Sequence, residues 1–581
     1  MADGGIVGTT HARAYRRLSW IIPGLLFLAV FVAVPLAGSA YTVQLVTDIL
    51  VFTALACGWN LISGFTGYLS FGQVSFYGIG AYTTGLLVVH SPLPWYIDVC
   101  IGGVLATAVA GILGPIMLQV RGILFALSML GLGRILMVAF SDWDFAGGGN
   151  GMTLPAVLTP TAVYVGAGLL SLLGFGINAW FAHSGFGLDA MSIREDEAAA
   201  QAVGIPTTRV KVIAFALSAA LAGLAGGLVA WNRSYIDPPS MFDPTIDLQT
   251  VVFVLFGGIG TIWGPLIGAM ILTIVGEELL VHVPNLELAL YGLIVILIVR
   301  GFPGGVVSLV NRWGFLRLPI VLAPQRLPDA ERPPARARQH DTAPVLEIDG
   351  LTVRFGGLIA LNGVSFRIGA GETVAIIGAN GAGKTTLFNA ITGFVPPSEG
   401  DIRLRGRSVT RLPTFRRAQI GMARTFQIPR LMRPMTVWEN VLAAARHGGQ
   451  TRRAVAHAAW VVHTVGLADR WLDPIAGLSP GHQRLLEFAR VLALNPDVVL
   501  LDEVMAGMTR DEQQEVRAVI RRLGSYGVSA VVMVEHVIAA IADLVDRMIV
   551  LDFGRMIAED VPEVILHDPE VIRAYLGEPA P

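Results

Sequence analysis

The sequence predicts an all-α polytopic membrane domain, with about eight to ten membrane segments, followed by a soluble α/β domain. Three observations predict it. Charged residues make up only 14 % of the chain, where a soluble globular protein carries about 25 %. Between residues 18 and 188 the only charges are Asp48, Asp98, Arg121, Arg134, Asp142 and Asp144, whereas from 345 onward charges are dense and apolar runs short. Within that second half, Gly378-Ala379-Asn380-Gly381-Ala382-Gly383-Lys384-Thr385-Thr386 matches G-x-x-x-x-G-K-[ST] between a short apolar run and a helical pattern.

Taken in order, the chain opens with Arg13, Arg16 and Arg17 ahead of the apolar run 18–38. That run is long enough to span a bilayer, which takes about 20 residues. A secretory signal has a shorter core, so the run is expected to stay as a helix with the N-terminus inside. Further apolar segments are expected at 43–63, 76–90, 96–119, 122–141, 161–183, 211–231, 248–276 and 283–299. Counted from inside, Arg121 falls on the cytoplasmic side, the acidic, Gly-rich loop 142–160 outside, and the loop 184–210, with Arg194 and Arg209, inside again. Each loop agrees with the positive-inside rule.

The segment 248–276 is long for one span and short for two, and Gly257-Gly258-Ile259-Gly260 and Gly264-Pro265 interrupt it. A re-entrant hairpin or a broken helix pair is expected there, either as a wall of a transport path or as a kinked packing element, because irregular backbone at membrane depth needs protein or a water-filled cavity around it. Ala219, Gly223 and Gly227 form a small-residue stripe suited to close helix packing. Arg134 lies well inside a span, where a charge is costly. It reads as an anchor for a substrate carboxylate or as an Arg paired inside the bundle, for instance with Asp98. Cys57 and Cys100 form neither a disulfide framework nor a metal site and are expected to be buried small apolar residues. The inner loop carries Arg194-Glu195-Asp196-Glu197-Ala198, with a short helix expected over 198–203 and a stop at Gly204.

The membrane domain is placed at 1–310. A Pro- and Arg-rich stretch, 311–344, lacks apolar periodicity and reads as an exposed linker. The soluble domain occupies 345–581. Its glycine-rich loop lets backbone N–H groups curl around phosphates, Lys384 reaches the β- and γ-phosphates, and the Thr385 hydroxyl is placed on Mg²⁺. Gly378, Asn380, Gly381, Gly383, Lys384, Thr385 and Thr386 are the expected nucleotide-binding residues. The strand 498–501 ends in Asp502, placed to hold Mg²⁺, and Glu503, placed to polarise the attacking water. Phe355 follows a strand and is placed to stack on adenine. Gln427 is placed to touch Mg²⁺ and the water, and His536, after the strand 530–534, to sense the γ-phosphate. The net charge of −2 says nothing about nucleic acid, and no nucleic-acid partner is expected.

Leu478-Ser479-Pro480-Gly481-His482-Gln483, with Arg484 and a helix over 485–494 behind it, resembles the ABC signature, usually L-S-G-G-Q. The resemblance implies that Ser479, Gly481 and the helix dipole meet the γ-phosphate of ATP held by another subunit. Pro480, His482 and Val504 depart from the usual residues. With Val353-Arg-Phe-Gly-Gly357, Ala423-Arg-Thr-Phe-Gln427 and Thr436-Val-Trp-Glu-Asn-Val441, the soluble half resembles the ATP-binding subunit of branched-chain amino-acid ABC importers. Gly64-Phe-Thr-Gly-Tyr-Leu-Ser-Phe-Gly-Gln73, Phe76-Tyr-Gly-Ile-Gly-Ala-Tyr82, Gly147-Gly-Gly-Asn-Gly151, Arg194-Glu-Asp-Glu-Ala198 and Gly257-Gly-Ile-Gly-Thr-Ile-Trp-Gly-Pro265 make the membrane half resemble a permease subunit of the same system. The inner-loop turn ending at Gly204 resembles a coupling helix, with an ordinary solvated loop as the alternative.

The resemblance implies an ATP hydrolase coupled to transport: half of an importer in the bacterial cytoplasmic membrane, with the ATPase on the cytoplasmic side. The implied partners are a second permease and a second ABC ATPase (separate subunits, a fused half or another copy) and an extracytoplasmic solute-binding protein. ATP and Mg²⁺ are the implied cofactors, and branched-chain or related amino acids the implied solute. Urea, amides or small carboxylates are the alternative within the same machinery. A nucleotide-gated membrane protein that does not pump is the alternative of another class.

Overall fold

A computed structural model describes residues 31–36, 38–155, 159–282, 287–301, 304–312, 326–332, 344–449, 451–506, 508–535 and 541–576. The N-terminal arm, most of the first apolar run, most of the linker and His536 lie outside the described residues. The chain divides into two compact units, Met1–Arg194 with Thr208–Val321, and Glu195–Thr207 with Leu322–Pro581.

The first unit is helical. Among the described residues, five helices are long and apolar enough to cross a membrane: Ala40–Phe65, Trp95–Met117, Ile123–Ser141, Pro160–His183 and Thr207–Asn232. The expected segment at 76–90 is the helix Gln73–His90, buried along most of its length. Small residues set its packing. A Cβ on Gly223 would stand 2.5 Å from Ala106 Cβ, and one on Gly227 2.5 Å from Thr84 Oγ1. The stripe of small residues is therefore a helix-packing face. A short antiparallel pair, β1 (Met152–Thr153) with β2 (Tyr235–Ile236), joins the Gly-rich loop to the end of Thr207–Asn232.

The interrupted segment is a broken helix pair, Pro244–Gly257 and Gly264–His282. The two run antiparallel: a Cβ on Gly257 would collide with Gly264 O, and one on Gly268 with Phe253 O. The turn between them needs Gly258 and Gly260, at φ +134° and +72°.

Two expectations are corrected here. Arg134 does not pair with Asp98. It is exposed and contacts Met137 Sδ at 3.4 Å, whereas Asp98 is fully buried and neither carboxylate oxygen has a hydrogen-bond partner among the described residues. Arg134 is exposed on its helix and Asp98 is buried on its own, which spacing along a sequence does not reveal. Cys57 is buried as expected, but Cys100 is exposed, on the outer side of Trp95–Met117.

The second unit is α/β. Strands β5 (Thr373–Ile377), β8 (Met422–Arg424), β9 (Val498–Asp502), β10 (Ala530–Val534), β11 (Arg547–Asp552) and β12 (Arg555–Asp560) form a sheet in the order β12-β11-β5-β10-β9-β8, all neighbours parallel except β11 with β12. The runs Val374–Ile377 and 530–534 are buried throughout, as continuous apolar strands of a parallel sheet covered on both faces should be. A second sheet, β4 (Leu358–Ile368), β3 (Leu346–Phe355), β6 (Glu399–Leu404) and β7 (Arg407–Ser408), is antiparallel. Both sheets contribute to one core, in which Leu351, Leu361, Ile376, Leu387, Phe388 and Leu500 are fully buried.

The inner-loop helix is Glu197–Ala202. Asp196 caps it by accepting from Ala199 N at 2.9 Å, and Gly204 follows at φ +84°. This segment belongs to the second unit. Gln419 Nε2 donates to Gly204 O at 2.7 Å, Arg430 pairs with Asp196 at 3.4 Å, and the buried Arg490 donates to Ala199 O at 3.4 Å.

Candidate nucleotide site

The phosphate loop leaves the C-terminal end of β5, where open parallel sheets bind their ligands, and enters the helix Lys384–Thr392. Two glycines are dictated by their surroundings. Gly378 sits at φ +155° with a Cβ position blocked by Leu551 O, and Gly383 at φ +103° with Ala360 O only 2.7 Å from where a Cβ would stand. Lys384 Nζ donates to Gly378 O at 2.6 Å and Ala379 O at 2.9 Å. Burial holds its ammonium below the ordinary lysine range, with Glu503 and Asp502 pulling the other way.

A cavity of about 530 Å³ opens over the loop, lined by Phe355, Leu358, Asn380, Gly381, Gly383, Lys384, Thr385, Thr386, Gln427, Glu503 and Phe553. Nine of the residues singled out in the sequence thus share one space, although Phe355 and Glu503 stand far apart in the chain. Gln427 Nε2 donates to Glu503 Oε2 at 2.7 Å. Glu503 takes φ +46°, and its N–H donates to Val534 O at 2.9 Å, so the backbone turns sharply at the end of β9. A non-glycine residue held there is strained, a feature that clusters at functional sites.

Asp502 does not line this cavity. Its Oδ2 pairs with Arg424 Nη2 at 3.0 Å, both side chains being buried. Burial raises the Asp502 carboxyl and lowers the Arg424 guanidinium, each partly offset by the other's charge. Arg424 also donates to Asn389 Oδ1 at 2.7 Å and Thr392 Oγ1 at 3.2 Å, linking Asp502 to the phosphate-loop helix.

The signature-like segment lies apart from the cavity lining. Ser479 caps the helix Pro480–Ala493, its Oγ accepting from His482 N at 3.3 Å and lying 2.8 Å from His482 Nδ1. Pro480 takes the first helical position, where a missing N–H is tolerated. Gly481 N donates to Glu512 Oε1 at 3.0 Å. From the same helix, Arg484 donates to Phe426 O and Gln427 O at 2.7 and 2.8 Å, and Glu487 accepts from Phe426 N at 2.8 Å. The helix thus sets the backbone that carries Gln427.

Sequence reasoning missed Phe553 and the partners of Arg424 and Arg484. Phe553 is 86 % exposed at φ +43° in the β11–β12 turn and lines the same cavity as Phe355. An aromatic residue inside the turn Asp552-Phe553-Gly554 was the available signal. The two arginines carry no local signal, because their partners come from distant strands and loops.

Comparison with known proteins agrees with this geometry. Residues 41–299 match the family model described as branched-chain amino acid transport system / permease component. Residues 361–506 match the ABC transporter model, and 555–581 the branched-chain amino acid ATP-binding cassette transporter model. The chain is 38 % identical over 251 residues to the high-affinity branched-chain amino acid transport ATP-binding protein BraF of Pseudomonas aeruginosa, covering 40 % of this chain and 98 % of that protein. It is 39 % identical to LivG of Salmonella typhimurium and 38 % to LivG of Escherichia coli, with the same coverage. The chain therefore belongs to the branched-chain amino-acid ABC transporters and joins a permease component to an ATP-binding component in one polypeptide.

Proposed function

We propose that this chain is one half of an ATP-driven importer of branched-chain amino acids. The observation that carries the reading is the single cavity that holds the phosphate loop, Gln427 and Glu503, in a chain that also carries the permease. Lys384 neutralises the β- and γ-phosphates, and the loop N–H groups cradle them. Phe355 and Phe553 flank the adenine end. Glu503 orients and polarises the attacking water, and Gln427 holds the Glu503 carboxylate in position. His536, which follows the strand 530–534 in the sequence, is assigned the role of sensing the γ-phosphate. Ser479 and Gly481 serve the nucleotide of the second ATPase, so this chain supplies parts to two composite sites.

The donors near the loop fit Mg²⁺. Thr385 and Gln427 line the cavity, and Asp502 ends β9 immediately before Glu503, which also lines it. An oxygen set with one or two carboxylates completed by substrate phosphates is what this hard cation takes. Thr385, Gln427 and Asp502 would hold Mg²⁺, and the ion would supply neutralisation of the phosphate charge during phosphoryl transfer.

The importer is assembled from two permeases and two ATPases and receives solute from an extracytoplasmic binding protein. It sits in the bacterial cytoplasmic membrane with the ATPase inside, consistent with Arg121, Arg194 and Arg209 on one side and the acidic loop 142–160 on the other. Arg134 supports the second permease. It is exposed in the middle of Ile123–Ser141, where facing lipid would cost about 3 kcal/mol. A second permease domain and a hydrated solute path give that face a polar surrounding.

The test is vanadate-sensitive ATPase activity of the chain purified with its neighbours, with and without a leucine-loaded binding protein, beside a urea-loaded control. Stimulation by the leucine complex alone is expected, and its loss in Glu503→Gln. Activity indifferent to any loaded binding protein would refute the importer reading.

A further inference from the structure

The chain leaves the first unit at Arg194 and returns to it at Thr208, and the residues between belong to the ATP-binding unit. The residues on either side of this excursion grip one short stretch of the first unit, 64–68. Arg194 Nη1 donates to Gly64 O at 2.8 Å. The same side chain lies over Gly67, where a Cβ would stand 3.0 Å from Arg194 Cγ, and over Gly260, where a Cβ would stand 2.7 Å from Nη1. From the other side, Lys211 donates to the Tyr68 hydroxyl at 2.7 Å and to Leu118 O at 3.1 Å, its ammonium 4.5 Å from the centre of the Tyr68 ring. Lys211 is buried, so this grip excludes water.

The gripped stretch is irregular. The helix that begins at Ala40 widens over Asn60–Phe65 into a π-helix, a rare form found mostly as single turns and frequently at functional sites. Asn60, fully buried, joins this turn to the broken helix pair. Its Oδ1 accepts from Gly260 N at 2.8 Å, and its Nδ2 donates to Thr261 O at 3.0 Å and Asn178 Oδ1 at 2.7 Å. Thr261 in turn closes the break: its hydroxyl donates to Gly258 O at 2.7 Å and accepts from Gly264 N at 3.0 Å. Three stretches far apart in sequence, around Gly64, Arg194 and Gly260, therefore meet at one junction inside the first unit.

We propose that Arg194 and Lys211 are positioning residues for transport: they turn a displacement of Glu195–Thr207 into movement of the π-helical turn and, through Asn60, into the break at 258–263. The proposal rests on the coupling of ATP hydrolysis to import stated above. Its physical basis is the pair of grips. A displacement of the excursion pulls on both ends of 64–68 at once, so the turn shifts as a body. Backbone groups at membrane depth must keep their partners, so Gly260 and Thr261 follow Asn60.

The test uses the full chain with its partner subunits in lipid bilayers. Hydrogen exchange at 60–68 and 257–264 is compared with and without vanadate-trapped nucleotide, alongside ATPase activity and leucine uptake, for wild type, Arg194→Gln, Arg194→Lys and Lys211→Met. In the wild type, exchange at both segments is expected to change on trapping. In Arg194→Gln and Lys211→Met that response is lost, ATPase activity stays within about twofold, and leucine taken up per ATP falls about fivefold or more. Arg194→Lys recovers part of it. Lys211→Met keeps the test open if Arg194→Gln does not fold. Segments that do not respond in the wild type, or respond equally in both variants, would overturn the relay. So would ATPase activity and uptake falling in parallel. A wild type whose segments respond to trapping but which takes up no leucine would support the relay and refute the solute reading.

Discussion

The Gln427 amide donates to the Glu503 carboxylate at 2.7 Å, across a gap between loops that follow two different strands, β8 and β9. Those strands are parallel neighbours, with Arg424 opposite Leu500. The sheet register therefore brings the two side chains to the same end of the sheet. Gln427 is also tied through its backbone to Arg484, and its loop reaches Asp196 through Arg430. The residue that holds Glu503 thus shares a short loop with the residue that holds the Glu195–Thr207 segment.

This arrangement separates the two side chains by role. Glu503→Gln is expected to lower ATP turnover by about a hundredfold or more while nucleotide binding persists, because a positioned general base contributes on that scale. Gln427→Ala leaves the carboxylate present but unheld, and turnover falls by a smaller factor, about tenfold. Steady-state ATPase measurements beside nucleotide-binding titrations check both. Loss of nucleotide binding in Glu503→Gln would contradict the assignment.

Arg417 is the second prediction. It is 2 % exposed and has no carboxylate partner among the described residues. Instead it donates to Ala390 O and Ile391 O, both at 2.7 Å, to Leu412 O at 2.9 Å and to Thr410 O at 2.6 Å. Ala390 and Ile391 lie in the last turn of the phosphate-loop helix, so the guanidinium caps that helix and favours its C-terminal dipole. Burial lowers its pKa to about 10, so it remains charged at neutral pH. Arg417→Met is expected to destabilise the ATP-binding unit by about 3 kcal/mol or more, since several buried carbonyls lose their donor. Thermal unfolding of the full chain, with nucleotide protection as the local readout, measures it.

His457 gives a pH prediction. It is 1 % exposed, and neither ring nitrogen has a hydrogen-bond partner among the described residues. Burial pushes the imidazole from its ordinary 6.5 down to about 4. The folded unit therefore holds His457 neutral at pH values where the unfolded chain takes up a proton. That contribution to stability is complete above pH 6.5 and is lost progressively as the pH falls toward 4, to roughly 3 kcal/mol. His457→Phe is expected to flatten this part of the pH–stability curve relative to wild type. An unchanged curve would show that the ring is not held neutral.

The exposed face of Ile123–Ser141 gives the fourth. Arg134 is exposed there and Ser128 half-buried, and a Cβ at Gly131 would meet nothing within 4 Å. If a second permease covers this face, Gly131→Cys forms a cross-link with the partner permease in native membranes. A cysteine at Ile112, exposed on Trp95–Met117, serves as the comparison. Equal labelling of both positions by a lipid-phase reagent, with no cross-link at 131, would place the face in lipid.

The two halves, the phosphate loop, Asp502 and Glu503 after their strand, and the interruption at 257–265 were legible in the sequence. Each depends on something local: hydropathy over a span, backbone N–H groups spaced along one loop, a strand that ends in carboxylates, or glycines that break a helix. Folding in three dimensions was needed to show that Arg134 and Asp98 stay apart, that Asp502 pairs with Arg424, that Phe553 lines one cavity with Phe355, and that Arg417 caps the phosphate-loop helix. It also decided that Gly64, Arg194 and Gly260 meet. Each of these depends on which faces of separate elements are packed together. A long cationic side chain satisfies carbonyls or carboxylates from any element within reach, so its partner is selected by packing and not by its neighbours in the chain.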